Sequence, residues 1–393
     1  MRPIFFIPAA SLIITGFCIS NASSAHTPRV SLAELQQQAY QNQLTELSRR
    51  TSGCTLENVA VRKEWQETLN LTLRACIILP RSNHYAYRSS LTAEQQINYT
   101  NAVLCLQSKP AITPRSVASG VRSRFDDFAA THINQTLIIH FASIFFAWHR
   151  YFVHTYEQAL INECGYSGIQ PYWNWSDNAA DPLKNTLFDG SETSIGGDGA
   201  YIPHNVSLIN IPVINITVTL PGGTGSGCIY SGPFRNMTVN LGPNSALDYN
   251  PRCLTRDFRG FLSNEYLTYD NITSLITGSN DLNNFTDTVN LSNGIHSKAH
   301  QTVGGLELDL YASAGDPAFY FIHTQLDHVW NTWQWLDPKT RINQVSGTLT
   351  FQNIPPSANG TLSTPMDLGY NAGPVLMKDV VSTIDGPFCY IYE

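Results

Sequence analysis

Apolar side chains in this chain recur mainly at helical spacing. Leu32, Leu35 and Ala39, then Tyr40, Leu44 and Leu47, are separated by steps of three and four, and Ser31-x-x-Glu34 forms a capping-box pattern ahead of them. The spacing predicts a helix over Ser31–Leu47, and a second over Leu91–Cys105. Phe125 to Glu163 is aromatic-rich and free of Pro and Gly, which predicts two helices with a joining loop. Residues 190–255 are dominated by Gly, Pro, Thr and Asn. One strand-like run, Val213–Leu220, leads there into Pro-Gly-Gly-Thr-Gly-Ser-Gly, so a loop-rich insertion is expected. Helical pattern returns at Leu282–His300 and Pro317–Leu336, and from Gln344 the tail reads as loop and strand. With no internal repeat and no linker, the expectation is one mainly α domain with a loop-rich, short-β periphery.

Composition adds the compartment. Charged residues are 13% of the 393, about half the usual ~25%. The net charge is −7 and no basic run reaches five residues, so no nucleic-acid partner is expected. Met1-Arg2, the apolar stretch Ile4–Ile19 and the small residues Ser23-Ser24-Ala25 have the layout of a signal peptide over 1–25. That stretch contains Pro8 and falls short of the ~20 residues a membrane span needs, so no membrane anchor is expected. Asn-x-Ser/Thr triplets occur at Asn70, Asn98, Asn134, Asn174, Asn205, Asn215, Asn236, Asn271, Asn284, Asn290 and Asn359. A secreted, extracellular glycoprotein is the expectation, its glycans supplying the missing surface polarity. Seven cysteines follow the leader, none in a CxxC pair, and read as disulfide partners with one left over.

Six of the eleven histidines fall into two groups: His132, His140 and His149, then His296, His300 and His323. His296 and His300 are one helical turn apart and project from one face, where two imidazoles can share a metal. The Glu of HExxH is missing, which argues against a zinc protease. His140 and His149 are nine apart. At about 100° per residue that leaves opposite faces of an ideal helix, so the chain must break between them for the rings to converge. His149 is expected on a helix, because Trp148–Phe152 opens an apolar periodic run, and His140 at a helix end or in the preceding loop.

Asp316-Pro317-Ala318-Phe319-x-x-x-His323-x-x-x-Asp327-x-x-Trp330, together with Trp148-His149-Arg150-Tyr151-Phe152, resembles the two copper signatures of the tyrosinase family, which includes tyrosinases, catechol oxidases and molluscan-type hemocyanins. Glu163-Cys164-Gly165-Tyr166, Gln170–Trp175, Ser231–Phe234 and Asn250–Cys253 resemble that family too, most closely its short secreted fungal members. The resemblance spans about 51–345 of the domain expected over 26–393. It implies a four-helix bundle holding a dinuclear copper site: one copper on His132, His140 and His149, the other on His296, His300 and His323. It also implies O2 and a small phenolic as substrates, with a catechol giving up two electrons and leaving as an o-quinone. Asp327, a turn after His323, matches an acidic position of the family and is a candidate partner for a ligating imidazole. Arg often follows that acid, but His328 stands here, and Arg150 is read as a structural ion-pair partner.

Other departures bear on activity. Ser297 stands where many tyrosinases have an Asn that, with a nearby Glu, helps orient a water deprotonating monophenols. Asn293 and Gly294 occupy the region of the usual upstream carboxylate, leaving Asp287 as the nearest acid. Ile322 replaces a common His, and Ile138 the Cys that forms a thioether in some members. Tyr390-Ile391-Tyr392 resembles the element closing the catalytic domain, and no C-terminal shielding domain is expected after it. The expected reaction is oxidation of o-diphenols or o-aminophenol-like phenolics to o-quinones or quinone imines, with weak or no monophenol hydroxylation. The alternatives are a tailoring oxidase of a phenolic secondary metabolite and a hemocyanin-like O2-binding protein. Gln66–Tyr87 reads as an inserted loop carrying the odd Cys76. Setting that cysteine aside leaves six, among which Cys228 and Cys253 are close enough in sequence for a local bridge.

Overall fold

The computed structural model describes residues 30–66, 91–211 and 214–393. The expected leader and nearly all of the expected insert, Cys76 included, lie outside them. Ten helices are described: α1 Leu32–Leu47, α2 Ala93–Ser108, α3 Arg124–Ile139, α4 Phe145–Cys164, α5 Gly260–Tyr266, α6 Tyr269–Gly278, α7 Leu282–Asn290, α8 Ile295–Val303, α9 Ala318–Leu336 and α10 Pro338–Arg341. The helices carrying the two histidine groups, α3, α4, α8 and α9, form the four-helix centre, with α2 packed against α3 and α4 and α1 against α9.

Two of these helices carry long stretches buried on every side. Every residue from Phe145 to Val153 of α4 is buried, and so is every residue from Ala318 to Trp335 of α9. Helices that are apolar on every side belong at the centre of a fold. Helices α1, α2 and α3 start where the chain supplies caps. Ser31 with Glu34, Thr92 with Gln95 and Ser123 with Asp126 each form a reciprocal capping box, satisfying backbone N–H groups that have no partner within the helix.

The expected break in the Phe125–Glu163 stretch falls at 140–144, where His140 caps α3 and Phe141 takes φ 49°. The Leu282–His300 stretch is two helices, α7 and α8, because the chain turns at 291–294. The 190–255 segment differs from expectation in having a hairpin rather than a lone strand: β3 Val206–Ile211 pairs antiparallel with β4 Ile216–Pro221. Helices α5 and α6 were not among the expected elements; α5 buries only Leu262 and Ser263. The remaining strands are short: β1 Ala60–Arg62, β2 Gly199–Tyr201, β5 Ser226–Ile229, β6 Thr238–Val239, β7 Arg252–Cys253, β8 Pro365–Met366, β9 Val375–Leu376 and β10 Tyr390–Tyr392. Among the described residues they make only two-stranded sheets, confirming the sparse β periphery.

Three disulfides join six cysteines: Cys54–Cys389, Cys105–Cys164 and Cys228–Cys253. The last is the local bridge anticipated from spacing, and Cys105–Cys164 ties α2 to α4. Cys54–Cys389 spans almost the whole domain and lies beside the parallel pairing of β1 with β10. No helix among the described residues is long and apolar enough to cross a membrane.

Candidate metal centre

The centre is built from two histidine triads facing each other across the bundle. His132 lies on α3, His140 at its C-cap and His149 one turn into α4. His296 and His300 lie on α8 and His323 on α9. Within each triad one ring nitrogen per histidine lies within 4.8 Å of the other two. Across the gap the His149 and His323 rings stack with centroids 4.3 Å apart, and His140 faces His296 at 6.3 Å. All six predicted histidines therefore come together, and the helix break between His140 and His149 makes this possible.

In the first triad the outer nitrogen of every ring is tied to a backbone carbonyl. His132 Nδ1 meets the Tyr311 carbonyl at 2.7 Å, His140 Nδ1 that of Thr136 at 3.0 Å and His149 Nδ1 that of Phe145 at 2.8 Å. A carbonyl can only accept, so each Nδ1 carries the proton and each Nε2 keeps its lone pair. The Nε2 atoms of His132 and His149 are buried with no hydrogen-bond partner. A buried polar atom left this way is costly unless something else engages it. In the second triad His300 Nε2 lies 3.2 Å from His296 Nε2 and 3.3 Å from His323 Nε2. Three imidazole nitrogens ~2.0–2.1 Å from one metal ion and ~110° apart would be spaced by about 3.3 Å. The residues present thus fit a pair of metal ions.

Burial drives every one of these imidazoles toward the neutral form. It pushes His140 down to about 4 and His300 to about 3, and takes His132, His149, His296 and His323 well below the usual range, with neighbouring imidazoles adding to the effect. Neutral imidazole is the ligating form. Phe145 and Phe319 wall the site, their rings 4.9 Å from His296 and 4.1 Å from His323. The first triad is sealed, at 0–4% exposure, whereas the His300 side chain retains 13%. The least buried ring of the centre is thus His300, on α8.

Asp327 does not touch a histidine of the centre. Its carboxylate accepts from Arg150 Nε at 2.5 Å and from the hydroxyls of Tyr390 at 2.7 Å and Tyr392 at 2.5 Å, with Arg62 Nη1 at 3.7 Å. It anchors the C-terminal strand, and Arg150 supplies the cation absent from position 328. Ser297 is half-buried next to His296 and makes no side-chain hydrogen bond within the described structure. Asp287 is exposed and bonds Asn283 Nδ2 at 3.0 Å. Ile322 is fully buried, and Ile138 is 45% exposed. Sequence reasoning missed Glu307, whose Oε2 lies 2.6 Å from His300 Nδ1. The two are seven positions apart, but the helix ends at Val303 and the chain turns at Gly304-Gly305, so helical spacing gave no reason to pair them.

Comparison with known proteins agrees with this geometry. Residues 122–336 match the common central domain of tyrosinase. The chain is 37% identical over 369 residues to the tyrosinase-like protein orsC of Emericella nidulans, covering 88% of this chain and 92% of that one. It is 32% identical over 371 residues to the N-acetyl-6-hydroxytryptophan oxidase ivoB of the same organism, covering 86% and 94%. A mutant polyphenol oxidase of Thermothelomyces thermophila superimposes with a TM-score of 0.81 at 38% identity, covering 92% of this chain and 97% of that one. The chain belongs to the tyrosinase family, the dinuclear copper oxidases. It is an enzyme of the polyphenol oxidase type, with a helical core carrying two histidine triads suited to that copper pair.

Proposed function

We propose that His132, His140 and His149 hold one copper and His296, His300 and His323 the other, and that the enzyme oxidises o-diphenols or o-aminophenol-like phenolics to o-quinones or quinone imines. The observation that carries the assignment is the set of Nε2 atoms turned into one buried space, two of them without any hydrogen-bond partner among the described residues. Copper bound there supplies the redox chemistry, taking electrons from the phenolic and passing them to O2.

The protein's part is to hold, orient and exclude. The carbonyls of Tyr311, Thr136 and Phe145 keep a proton on each outer nitrogen of the first triad, so its inner nitrogens stay free to ligate. Phe145 and Phe319 keep bulk water off the rings. Hydroxylating a monophenol calls for a base near the incoming hydroxyl. Ser297 holds no hydrogen-bonded partner that could fix a basic water, and Asp287 is turned to solvent. This supports diphenol oxidation over monophenol hydroxylation, because a diphenol already carries both oxygens.

The second reading is a tailoring oxidase of a phenolic secondary metabolite. It is favoured by the similarity to an enzyme named for oxidising N-acetyl-6-hydroxytryptophan. Secretion and glycosylation belong to the same proposal, supported by the three disulfides. The test is copper content together with oxygen uptake on monophenols, catechols, aminophenols and methoxyphenols. Two coppers per chain, fewer in His149→Ala or His300→Ala, and uptake greatest on catechols or aminophenols are expected. One metal per chain, or uptake on monophenols equal to that on catechols without a lag, would overturn the reading.

A further inference from the structure

The two triads differ in what stands behind their rings. All three outer nitrogens of the first are held by peptide carbonyls. In the second, His323 Nδ1 is buried without a partner, and Glu307 is the only group among the described residues that holds an outer ring nitrogen, at 2.6 Å from His300 Nδ1. Glu307 is 2% exposed, so its carboxylate is withdrawn from water more completely than the ring it touches, whose side chain retains 13%.

Its position is built, not incidental. After α8 the chain passes through Gly304 at φ +67° and Gly305 at φ +56°, a region side chains avoid. A Cβ on Gly304 would lie 2.3 Å from the Asp257 carbonyl oxygen, and one on Gly305 would lie 2.2 Å from that of Thr255. This glycine pair lets the chain fold flat against 255–257 and turn Glu307 back under α8, with Leu306 N–H donating to the Thr255 carbonyl at 3.0 Å. The Arg256–Asp316 pair is fully buried nearby, with Nε and Nη2 each bonded to one carboxylate oxygen at 2.9 and 2.8 Å. Burial and Asp316 push the Glu307 carboxyl well above the usual glutamate range, against the pull of Arg256, so a cation across His300 would favour its carboxylate form.

Resting on the copper assignment above, we infer that Glu307 is the positioning residue of the second copper: it fixes the His300 ring with Nε2 inward and makes that ring the most electron-rich ligand of the centre. Carboxylate–histidine–metal arrangements raise ligand basicity, and removing the outer partner typically weakens metal binding by about 10–100-fold. The centre is accordingly asymmetric. The first copper rests on peptide carbonyls, and the second on one buried carboxylate that strengthens its hold and favours the oxidised ion. Glu307 lies behind the ring, away from the space between the triads, so it neither touches substrate nor takes a substrate proton.

The experiment is a copper titration of the full-length protein against a competing chelator, with the unfolding midpoint of the metal-free form measured alongside. Glu307→Gln keeps the shape and one accepting oxygen but removes the charge. The expected result is unchanged affinity for one copper, about 10–100-fold weaker affinity for the other, and a metal-free midpoint equal to that of the parent. A second copper bound as tightly as in the parent would overturn the inference. So would equal weakening of both coppers together with a lowered metal-free midpoint, which marks a merely structural residue. If Glu307→Gln does not fold, Glu307→Asp, which draws the carboxylate back by one methylene, carries the same expectation. Failure of the parent itself to bind two coppers would bring down the copper assignment, whereas a parent with two coppers and an unaltered variant refutes only the role of Glu307.

Discussion

Replacing Asp327 by Asn should destabilise the domain while leaving its copper content intact. The carboxylate is 4% exposed and receives Arg150 Nε, the two tyrosine hydroxyls of β10 and the approach of Arg62. Burial alone would raise its pKa, but Arg150, Arg62 and the hydroxyls of Tyr392 and Tyr390 outweigh it and hold the group below the ordinary aspartate value. Arg62 keeps Glu157 at 2.6 Å after the change, and Arg150 keeps only neutral acceptors, the Val381 carbonyl and Gln334. Removing one partner of a buried ion pair costs about 3–5 kcal/mol, because the remaining charge stays buried. With an unfolding entropy of about 2.1 cal/mol/K per residue, the roughly 340 described residues give ~0.7 kcal/mol/K, so the melting temperature should fall by about 4–7 °C. Tyr392→Phe removes one charge-assisted hydrogen bond of ~1.5–3 kcal/mol and should lower it by about 2–4 °C. The assay is a thermal melt of copper-loaded protein at pH 7 with metal content determined on the same samples. An unchanged melting temperature, or loss of copper from the folded variant, would refute the reasoning and restore Asp327 to the metal centre.

Other consequences are open to direct measurement. Ser297→Asn should raise the initial rate on tyramine relative to dopamine several-fold, well inside the ~10²–10⁴ a positioned base contributes; an unchanged ratio means that water positioning is not limiting. Burial, aided by the Arg62 charge, pushes His154 down to about 3. Its folded ring thus stays neutral where the unfolded ring, with a pKa near 6.5, takes up a proton, and stability must fall as pH drops from about 6.5 toward 3. That contribution is about 2 kcal/mol at pH 5, so His154→Phe, packed against Phe388, should narrow the gap in melting temperature between pH 7 and pH 5 by ~3 °C, and an undiminished gap counts against it. If the protein is secreted as proposed, glycopeptide mapping should find sugar at exposed sequons such as Asn134, Asn236, Asn271 and Asn359 and none at the buried Asn174 and Asn290. A glycan on Asn174 would contradict the fold around it.

The sequence by itself grouped the six histidines proposed as ligands and marked most of the helices that carry them. Helical period, capping residues and the absence of Pro and Gly are local properties, and they placed α1, α3, α4 and α9 within a few residues of where they lie. The requirement that His140 and His149 converge also dictated a break, since 3.6 residues per turn allows no other solution. Tertiary structure decided the partners. Asp327 stands one turn after His323 in the chain, as a helical companion should, yet α9 is buried all round and presents that side of the helix to β10 and the arginines. Glu307 is seven positions after His300, but α8 ends at Val303, so helical spacing does not carry across, and only the close fold of Gly304-Gly305 against 255–257 brings the two into contact. The β3–β4 hairpin and helix α5 escaped for a related reason, few side chains being buried there, whereas the short α6 does carry a helical period, Ile272, Leu275 and Ile276, that went unread. Sequence period reports how a segment meets the core. Which charged group ends beside which imidazole depends on how separate segments pack, and no period within one segment carries that information.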